Sequence, residues 1–517
     1  MINLFNKKFL NALYLISLGA LSSYSLPPYN YFIINFITFS LLFVFIFKKK
    51  KIYSDNKSLF KYGYYFGFGY FLFSLYWISI SLTFDQSFKF LVPLVIILLP
   101  AFLSIFYGLV TYFFSIFYSK NTVSSFLIFS ILFGVTEFIR GSILTGFPWN
   151  LIAFSFSNNL NFIQILSVIG TYSFNLICIS LFTLPALFFL RNSKKEIIVC
   201  SFFMIVSVSF LIFGNLKNNK FNSLDSVKNS YTIRAISSNI SLDRFYSKHD
   251  ELKIINELID LGNSTKNEPI IFLWPEGIIS ESNSIEMSIY KDLFDKNFGD
   301  DDLILMGLNS IENKDNKKLI YNSAALFNKK LELLHNYKKN NLVPFGEFIP
   351  LENVLGFLGF KTITNEYQSF SKGKNREILN IKNENITVNL LPLICYEIIY
   401  SGTLSNGKIF DYIINISEDG WFGNSIGPTQ HFSHSIFRSI ESGKYIIRST
   451  NNGISIIVNP VGIIEQEVEF GSTGYVELSE SKLVKSTPFM LYGNKIFLIL
   501  ILIYIFLIFS FNRLKYE

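Results

Sequence analysis

The chain has 517 residues, half of them hydrophobic, and carries 45 Lys and Arg against 38 Asp and Glu for a formal net charge of +7. That apolarity exceeds what a soluble protein carries and points to a membrane protein, while basic residues placed beside apolar runs, rather than in a patch interleaved with aromatics, argue against nucleic-acid binding. Cys178 and Cys200 lie within apolar runs, where a thiol behaves as a small hydrophobe, so Cys395 has no disulfide partner in its own polar region.

A bilayer-crossing helix needs about 20 mostly apolar residues. Seven stretches before residue 215 qualify, roughly 9–25, 30–47, 62–83, 91–118, 124–140, 162–190 and 196–214, and an eighth covers roughly 489–512. Lys7 and Lys8 precede the first as they would a signal peptide, but no small-residue cleavage site is clear and another span follows at once, so it reads as uncleaved. Lys48 to Lys51 and the group Arg191, Lys194 and Lys195 fall on the N-terminal side if the spans alternate. The bias of Lys and Arg towards cytoplasmic loops makes that side cytoplasmic. The polar region between the seventh and eighth spans is then extracytoplasmic, periplasmic in a two-membrane bacterium. Three parts are expected: a seven-helix transmembrane domain over 1–217, a polar domain over 228–482, and a C-terminal transmembrane helix with its tail over 487–517.

In the polar domain, β-branched runs at 270–274, 303–306, 412–416 and 454–458 read as strands, and 248–262 and 429–446 as helices, with 215–230 as a polar linker. The domain is therefore expected to be α/β. Glu137 and Arg140, three apart near the end of the fifth span, read as a structural ion pair that also has the chemistry to touch a lipid headgroup.

Three motifs place a reactive side chain at the end of an apolar run or in a Gly/Pro turn. Trp274-Pro275-Glu276 follows the first strand, and Pro275 ends its pairing. The second is Tyr337-Lys338-Lys339-Asn340-Asn341-Leu342-Val343-Pro344-Phe345-Gly346-Glu347. The third is Ile394-Cys395-Tyr396-Glu397. A cysteine nucleophile needs a base and a group to stabilise an oxyanion. The four histidines form no recognisable Cys/His signature, and His431 and His434 lack the further ligands of a metal site. A carboxylate base with a lysine is more economical, and neither metal nor cofactor is expected.

Glu, Lys and Cys in this order resemble the nitrilase, or carbon–nitrogen hydrolase, superfamily. Together with the spans, the whole chain resembles the bacterial apolipoprotein N-acyltransferase family. The likeness is carried also by Trp421-Phe422-Gly423, Ser425-Ile426-Gly427-Pro428, Gln430-His431-Phe432, Arg448 to Gly453, Arg140-Gly141 and Thr145 to Trp149. It implies a membrane α-helical bundle of about eight transmembrane helices plus an extracytoplasmic α/β nitrilase-like αββα sandwich. It also implies Glu276 as general base, Lys339 as the oxyanion-stabilising cation and Cys395 as nucleophile, with Glu347 and Glu397 positioning the lysine and thiol. Tyr396 joins them as a supporting residue. Trp421 and Phe422 read either as core aromatics or as the lining of an acyl pocket. Three departures stand out: Glu418 where relatives commonly have asparagine, Asn341 for a frequent histidine, and Pro392 interrupting the strand that leads to Cys395.

The reaction so implied is ping-pong acyl transfer by a monomer in the bacterial inner membrane. A phospholipid, expected to be phosphatidylethanolamine, acylates Cys395, and the α-amino group of a diacylglyceryl-cysteine apolipoprotein takes the acyl chain. Segment 354–360 is expected either as a lid dipping into lipid or as a buried amphipathic helix. The competing readings are a membrane-tethered amidase and a catalytically silent lipid-binding scaffold.

Overall fold

The computed structural model describes every residue except 1, 53–56, 248, 265–267, 315–316, 353–361, 363–368, 405–406 and 514–517. The chain forms two compact units. One comprises Met1–Ile80, Phe90–Asn219 and Thr487–Glu517, and the other Ser81–Lys89 and Lys220–Ser486.

The first unit is helical: α1 (Ile2–Ser23), α2 (Ile33–Ile52), α3 (Lys57–Leu75), α4 (Val92–Phe117), α5 (Thr122–Arg140), α6 (Leu160–Ile163), α7 (Leu166–Phe189), α8 (Lys194–Asn222), α12 (Pro488–Tyr492) and α13 (Lys495–Arg513). Among the described residues six helical stretches are long and apolar enough to cross a membrane: Leu59–Thr83, Lys89–Phe117, Thr122–Arg140, Leu166–Phe189, Lys194–Asn222 and Lys495–Arg513. Helices α1 and α2 occupy the places of the first two expected spans, and Lys49 to Lys51 close the last turn of α2. The stretch expected as one helix over 162–190 is broken at Gly170, whose φ of +72 favours glycine and whose absent Cβ leaves room for the ring of Phe489. The expected linker over 215–230 is mostly regular structure, since α8 continues to Asn222 and a strand begins at Val227. Tertiary contact holds α8 beyond its apolar stretch, with Gly214 seated on the Asn161 backbone and Asn218 Nδ2 donating to Asn161 Oδ1 at 2.6 Å. The pair Glu137–Arg140 is buried and ion-paired, and Tyr107 donates to Glu137 at 2.6 Å.

The second unit contains two mixed sheets. The first runs β13 (Gly474–Ser481), β1 (Val227–Ser237), β2 (Ile270–Leu273), β4 (Leu303–Lys314), β5 (Lys317–Asn328), β6 (Leu333–Lys338), with β3 (Ile279–Asn283) on β4. The second runs β12 (Ile464–Val468), β11 (Ser455–Val458), β10 (Ile446–Asn451), β9 (Tyr412–Glu418), β8 (Thr387–Ile394), β7 (Leu379–Lys382). Strands β1, β2 and β4 pair in parallel, as do β8, β9 and β10. Parallel strands buried on both faces read as continuous apolar runs, and β2 and β9 are buried at every residue. Helices α9 (Glu251–Gly262) and α10 (Lys291–Asn297) bury Ile254, Ile255, Leu258 and Phe294 with the residues of the first sheet. Ser449 on β10 donates to the carbonyls of Ile236 and Leu273, tying the two sheets face to face.

Helix α11 (Gly427–Ser442) stops earlier than the sequence suggests, because Gly443 takes the left-handed cap and 446 already opens β10. Pro392 does not interrupt β8. It stays in register opposite Ile414, and the β7 ladder has already ended at Leu390, so no hydrogen bond of that pair is lost. The segment 354–360 lies outside the described residues.

Gly307 on β4 sits under the turn that carries Glu276. A Cβ there would lie 2.4 Å from Glu276 Cα and from the Pro275 carbonyl oxygen, both backbone. Gly307→Ala is expected to destabilise the protein by about 1–3 kcal/mol, read as a lower thermal midpoint in detergent. Gly262→Ala, whose Cβ would meet side chains alone, the Phe272 ring at 3.3 Å and Ile236 Cδ1 at 3.8 Å, is expected to shift it less.

Candidate active site

Glu276 and Lys339 come from the first sheet. Trp274 N–H extends the parallel ladder to the Leu305 carbonyl at 2.8 Å, and Pro275 then frees the chain for a turn at Gly277, φ +56. Lys339 follows the last residue of β6 and is still held by β5, its N–H donating to the Asn322 carbonyl at 2.9 Å. Its ammonium donates to Glu276 Oε1 at 2.8 Å and to Glu347 Oε1 at 2.9 Å. Asn322 Nδ2 bridges the same two oxygens at 2.8 and 2.7 Å. The other oxygen of each carboxylate accepts a backbone N–H: Glu418 to Glu276 at 3.0 Å and Val343 to Glu347 at 2.8 Å. Lys338, by contrast, pairs with the exposed Glu312 and lies over the Tyr321 ring, so the two adjacent lysines differ in environment.

This cluster is buried, with Lys339 1% exposed. Burial opposes the lysine's charge, yet Glu276 and Glu347 together hold its pKa well above the ordinary value, so it is an ammonium. Burial raises the Glu347 carboxyl, against the pull of Lys339.

Cys395 stands at the end of β8 and opens the short 3-10 turn Cys395–Ile399. Its φ of +48 is left-handed, a conformation that costs a non-glycine residue about 1–3 kcal/mol and persists only when the surroundings impose it. Glu397 is one restraint. Its carboxylate accepts from Ile394 N–H at 2.9 Å, the Tyr337 hydroxyl at 2.9 Å, and the N–H groups of Asn340 and Asn341 at 2.9 and 3.1 Å. One buried carboxylate therefore fastens the cysteine turn to the loop that carries Lys339. Burial pushes the Cys395 thiol well above its ordinary pKa, Glu276 pushes it further, and Lys339 pulls it down. The resting group is a neutral thiol that feels both charged partners.

Behind the cysteine lies a second network. The Cys395 carbonyl faces His431 Nε2 at 3.3 Å and Asn415 Nδ2 at 3.5 Å. Asp419 pairs with Arg448 at 2.8 Å, contacts His431 Nδ1 at 3.0 Å, and accepts from the Ser417 hydroxyl at 2.7 Å. Arg448 keeps the Asp419 carboxyl below the usual range despite burial. Burial and the Arg448 charge lower the His431 pKa.

The sequence placed Glu276, Lys339, Cys395, Glu347 and Glu397 in one neighbourhood, and the structure brings them together. Tyr396 is buried with its ring edge-on to Tyr400 at 5.5 Å. Trp421 is half-buried, stacked on Phe245 at 5.3 Å and met edge-on by Phe84 at 6.0 Å, while Phe422 packs against His431. Glu418 does not add an uncompensated charge. Its carboxylate pairs with buried Arg244, accepts from Asn451 Nδ2 at 2.6 Å, and touches the cluster through its backbone alone. Asn341 receives Arg376 Nη2 at 2.7 Å, so the departure from histidine is absorbed locally. Sequence reasoning missed Asn322, Asn415, Ser417 and Asp419. They sit in ordinary strand and turn contexts, and only the pairing of β4 with β5 and of β8 with β9 brings them to the site.

A family model described as the apolipoprotein N-acyltransferase N-terminal domain matches residues 18–183, and one described as carbon-nitrogen hydrolase matches residues 302–482. Among curated relatives, the apolipoprotein N-acyltransferase of Rickettsia typhi is 33% identical, covering 92% of this chain and 93% of that protein. That of Rhizobium rhizogenes is 29% identical, covering 91% and 90%. Among solved structures, Saccharomyces cerevisiae Nit3, a member of branch 10 of the nitrilase superfamily, is 17% identical and covers 48% of this chain and 90% of that one at a TM-score of 0.33. With a third of its residues identical to a relative aligned along almost the full length of both proteins, this chain belongs to the apolipoprotein N-acyltransferase family.

Proposed function

We propose that the protein transfers a fatty acyl chain from a phospholipid to the α-amino group of the diacylglyceryl-cysteine that begins an apolipoprotein, with Cys395 as the covalent carrier. The observation that carries this reading is the buried Lys339, shared by Glu276 and Glu347 and acting on the thiol of a cysteine held in a left-handed turn.

In the first half-reaction Glu276 takes the thiol proton as Sγ attacks the ester carbonyl carbon, and the carbonyl π pair moves to oxygen. Lys339 and the N–H of Tyr396 hold that oxyanion. Collapse breaks the ester C–O bond, and Glu276 returns its proton to the departing alkoxide, leaving a thioester and a lysophospholipid. In the second, the amine attacks the thioester, Glu276 takes the amine proton, and the expelled sulfur recovers a proton as the amide forms. Phosphatidylethanolamine is the expected donor, and the enzyme works as a monomer. The lysines that close α2 and the Arg191 to Lys195 group are assigned to the cytoplasmic side of the inner membrane, leaving the sheets on the periplasmic side. Membrane-anchored donor and acceptor give the long apolar helices a purpose that hydrolysis of a small soluble amide would not.

Detergent-purified protein supplied with phosphatidylethanolamine and a diacylglyceryl-cysteine peptide tests this. The peptide is expected to gain a third acyl chain, and Cys395→Ala to abolish the gain. Release of free fatty acid to water with an unmodified peptide would favour the amidase-like reading. Lys339→Met is expected to slow transfer about 10²- to 10³-fold, the usual cost of an oxyanion donor, whereas Lys338→Met is expected to change it less than about twofold, as for an exposed ion pair.

The raised thiol pKa fixes a sign for pH dependence. Less thiolate is present at neutral pH than for an ordinary cysteine of pKa about 8.5, so iodoacetamide should modify Cys395 more slowly than a free cysteine at pH 7.5. Its rate should still be rising above about pH 9. A rate already level below about pH 7 would mean a preformed thiolate and contradict the burial argument.

A further inference from the structure

The network behind the nucleophile reaches the carbonyl oxygen of Cys395. His431, from the first turns of α11, faces it at 3.3 Å, and Asn415 on β9, whose Nδ2 donates to the Leu393 carbonyl at 3.0 Å, reaches it at 3.5 Å. Each is set by the same guanidinium. Arg448 is the register partner of Asn415 across β10 and β9, donates to Asn415 Oδ1 through Nη1, and reaches His431 Nδ1 at 2.9 Å and both oxygens of Asp419 through Nη2. All four side chains are fully buried.

The geometry also fixes the histidine's proton. A carbonyl oxygen only accepts, so His431 Nε2 must carry hydrogen. Nδ1 lies 2.9 Å from Arg448 Nη2 and 3.0 Å from an Asp419 oxygen, which anchor the ring from behind while Nε2–H donates. The imidazole thus turns its Nε2 to the peptide carbonyl of the cysteine.

That peptide is the one whose N–H, on Tyr396, serves the oxyanion in the mechanism proposed above. A hydrogen bond to the oxygen of an amide draws electron density from its nitrogen and makes the N–H a better donor, since chains of hydrogen bonds polarise one another. We propose that His431, with Asn415 beside it, is a positioning residue for acyl transfer, donating to the Cys395 carbonyl so that the Cys395–Tyr396 peptide is both held in its left-handed turn and polarised toward the oxyanion. This assignment rests on the acyl-transfer reading.

A comparison of two reactions at the same sulfur tests it. Acylation by phospholipid passes through an oxyanion, and alkylation by iodoacetamide does not. His431→Leu is expected to slow acylation of Cys395 by phosphatidylethanolamine, followed by intact mass, about tenfold, a fraction of the roughly 10²- to 10³-fold cost of losing an oxyanion donor outright. Alkylation should stay within about twofold of wild type, because it passes through no oxyanion and Glu397 still fastens the cysteine turn. His431→Gln, which offers an amide N–H to the same carbonyl, should recover most of the acylation rate. If His431→Leu does not fold, His431→Asn, too short to reach the carbonyl, takes its place in the comparison. Equal slowing of both reactions, an unchanged acylation rate, or a Gln variant no faster than Leu would overturn the assignment. No adduct in the wild type would overturn the acyl-transfer reading and this assignment with it.

Discussion

The site depends on one buried ammonium. Lys339 sits between Glu276 and Glu347, and without it two carboxylates would face each other through a single asparagine amide in a region almost closed to water. Removing an ion of this size from water costs several kcal/mol even after relaxation, and removing one partner of a buried pair typically costs about 3–5 kcal/mol. The surroundings are built accordingly. Each carboxylate oxygen not on the lysine receives a backbone N–H, from Glu418 at the end of β9 and from Val343 in the turn after β6. Glu418 belongs to the second sheet while the cluster's other groups come from the first sheet and its loops, so the cluster is completed only when the two sheets pack together.

The cysteine is held by the same logic with different parts. Its left-handed backbone is unfavourable by itself, and Glu397 restrains it from one side while the carbonyl donors restrain it from the other. Glu397 also accepts the N–H groups of Asn340 and Asn341, so a shift of the cysteine turn is transmitted to the residues next to Lys339. Cys395 and Lys339 are thereby kept in register by one carboxylate, which suits the proposed reaction, whose oxyanion needs a donor from each.

Much of this was legible in the sequence, for physical reasons that differ by residue. Glu276 and Cys395 follow apolar runs, and a strand's end is where a side chain can leave the core, so the hydrophobic pattern marked both as candidates, while their pairing with Lys339, and the choice of Lys339 over Lys338, came from the family resemblance. Glu347 and Glu397 were legible through the same resemblance, and they lie eight and two residues from the groups they support. Asn322 and Asn415 were not, because their roles are set by register between strands, and a polar residue in a buried strand carries no local mark of its partner; Asp419, in the turn after β9, gains its role only when α11 and β10 bring His431 and Arg448 to it. The same limit explains Glu418: its charge was visible, but Arg244, 174 residues away, was not. Regularity was misjudged where tertiary packing overrides composition, at the Gly170 break against Phe489 and at the polar end of α8 held by Asn161.

The buried thiol, the shared ammonium and the long apolar helices converge on the claim that Cys395 carries the acyl chain between two membrane-anchored substrates. The most direct measurement is the intact mass of the full-length protein in detergent after exposure to phosphatidylethanolamine alone, for wild type and Cys395→Ala. Expected is one fatty-acyl increment on the wild type, absent from the variant, mapped by peptide analysis to Cys395, and discharged when a diacylglyceryl-cysteine peptide is added. A folded wild-type protein that transfers acyl groups with no increment at Cys395, or carries one equally in Cys395→Ala, would contradict it.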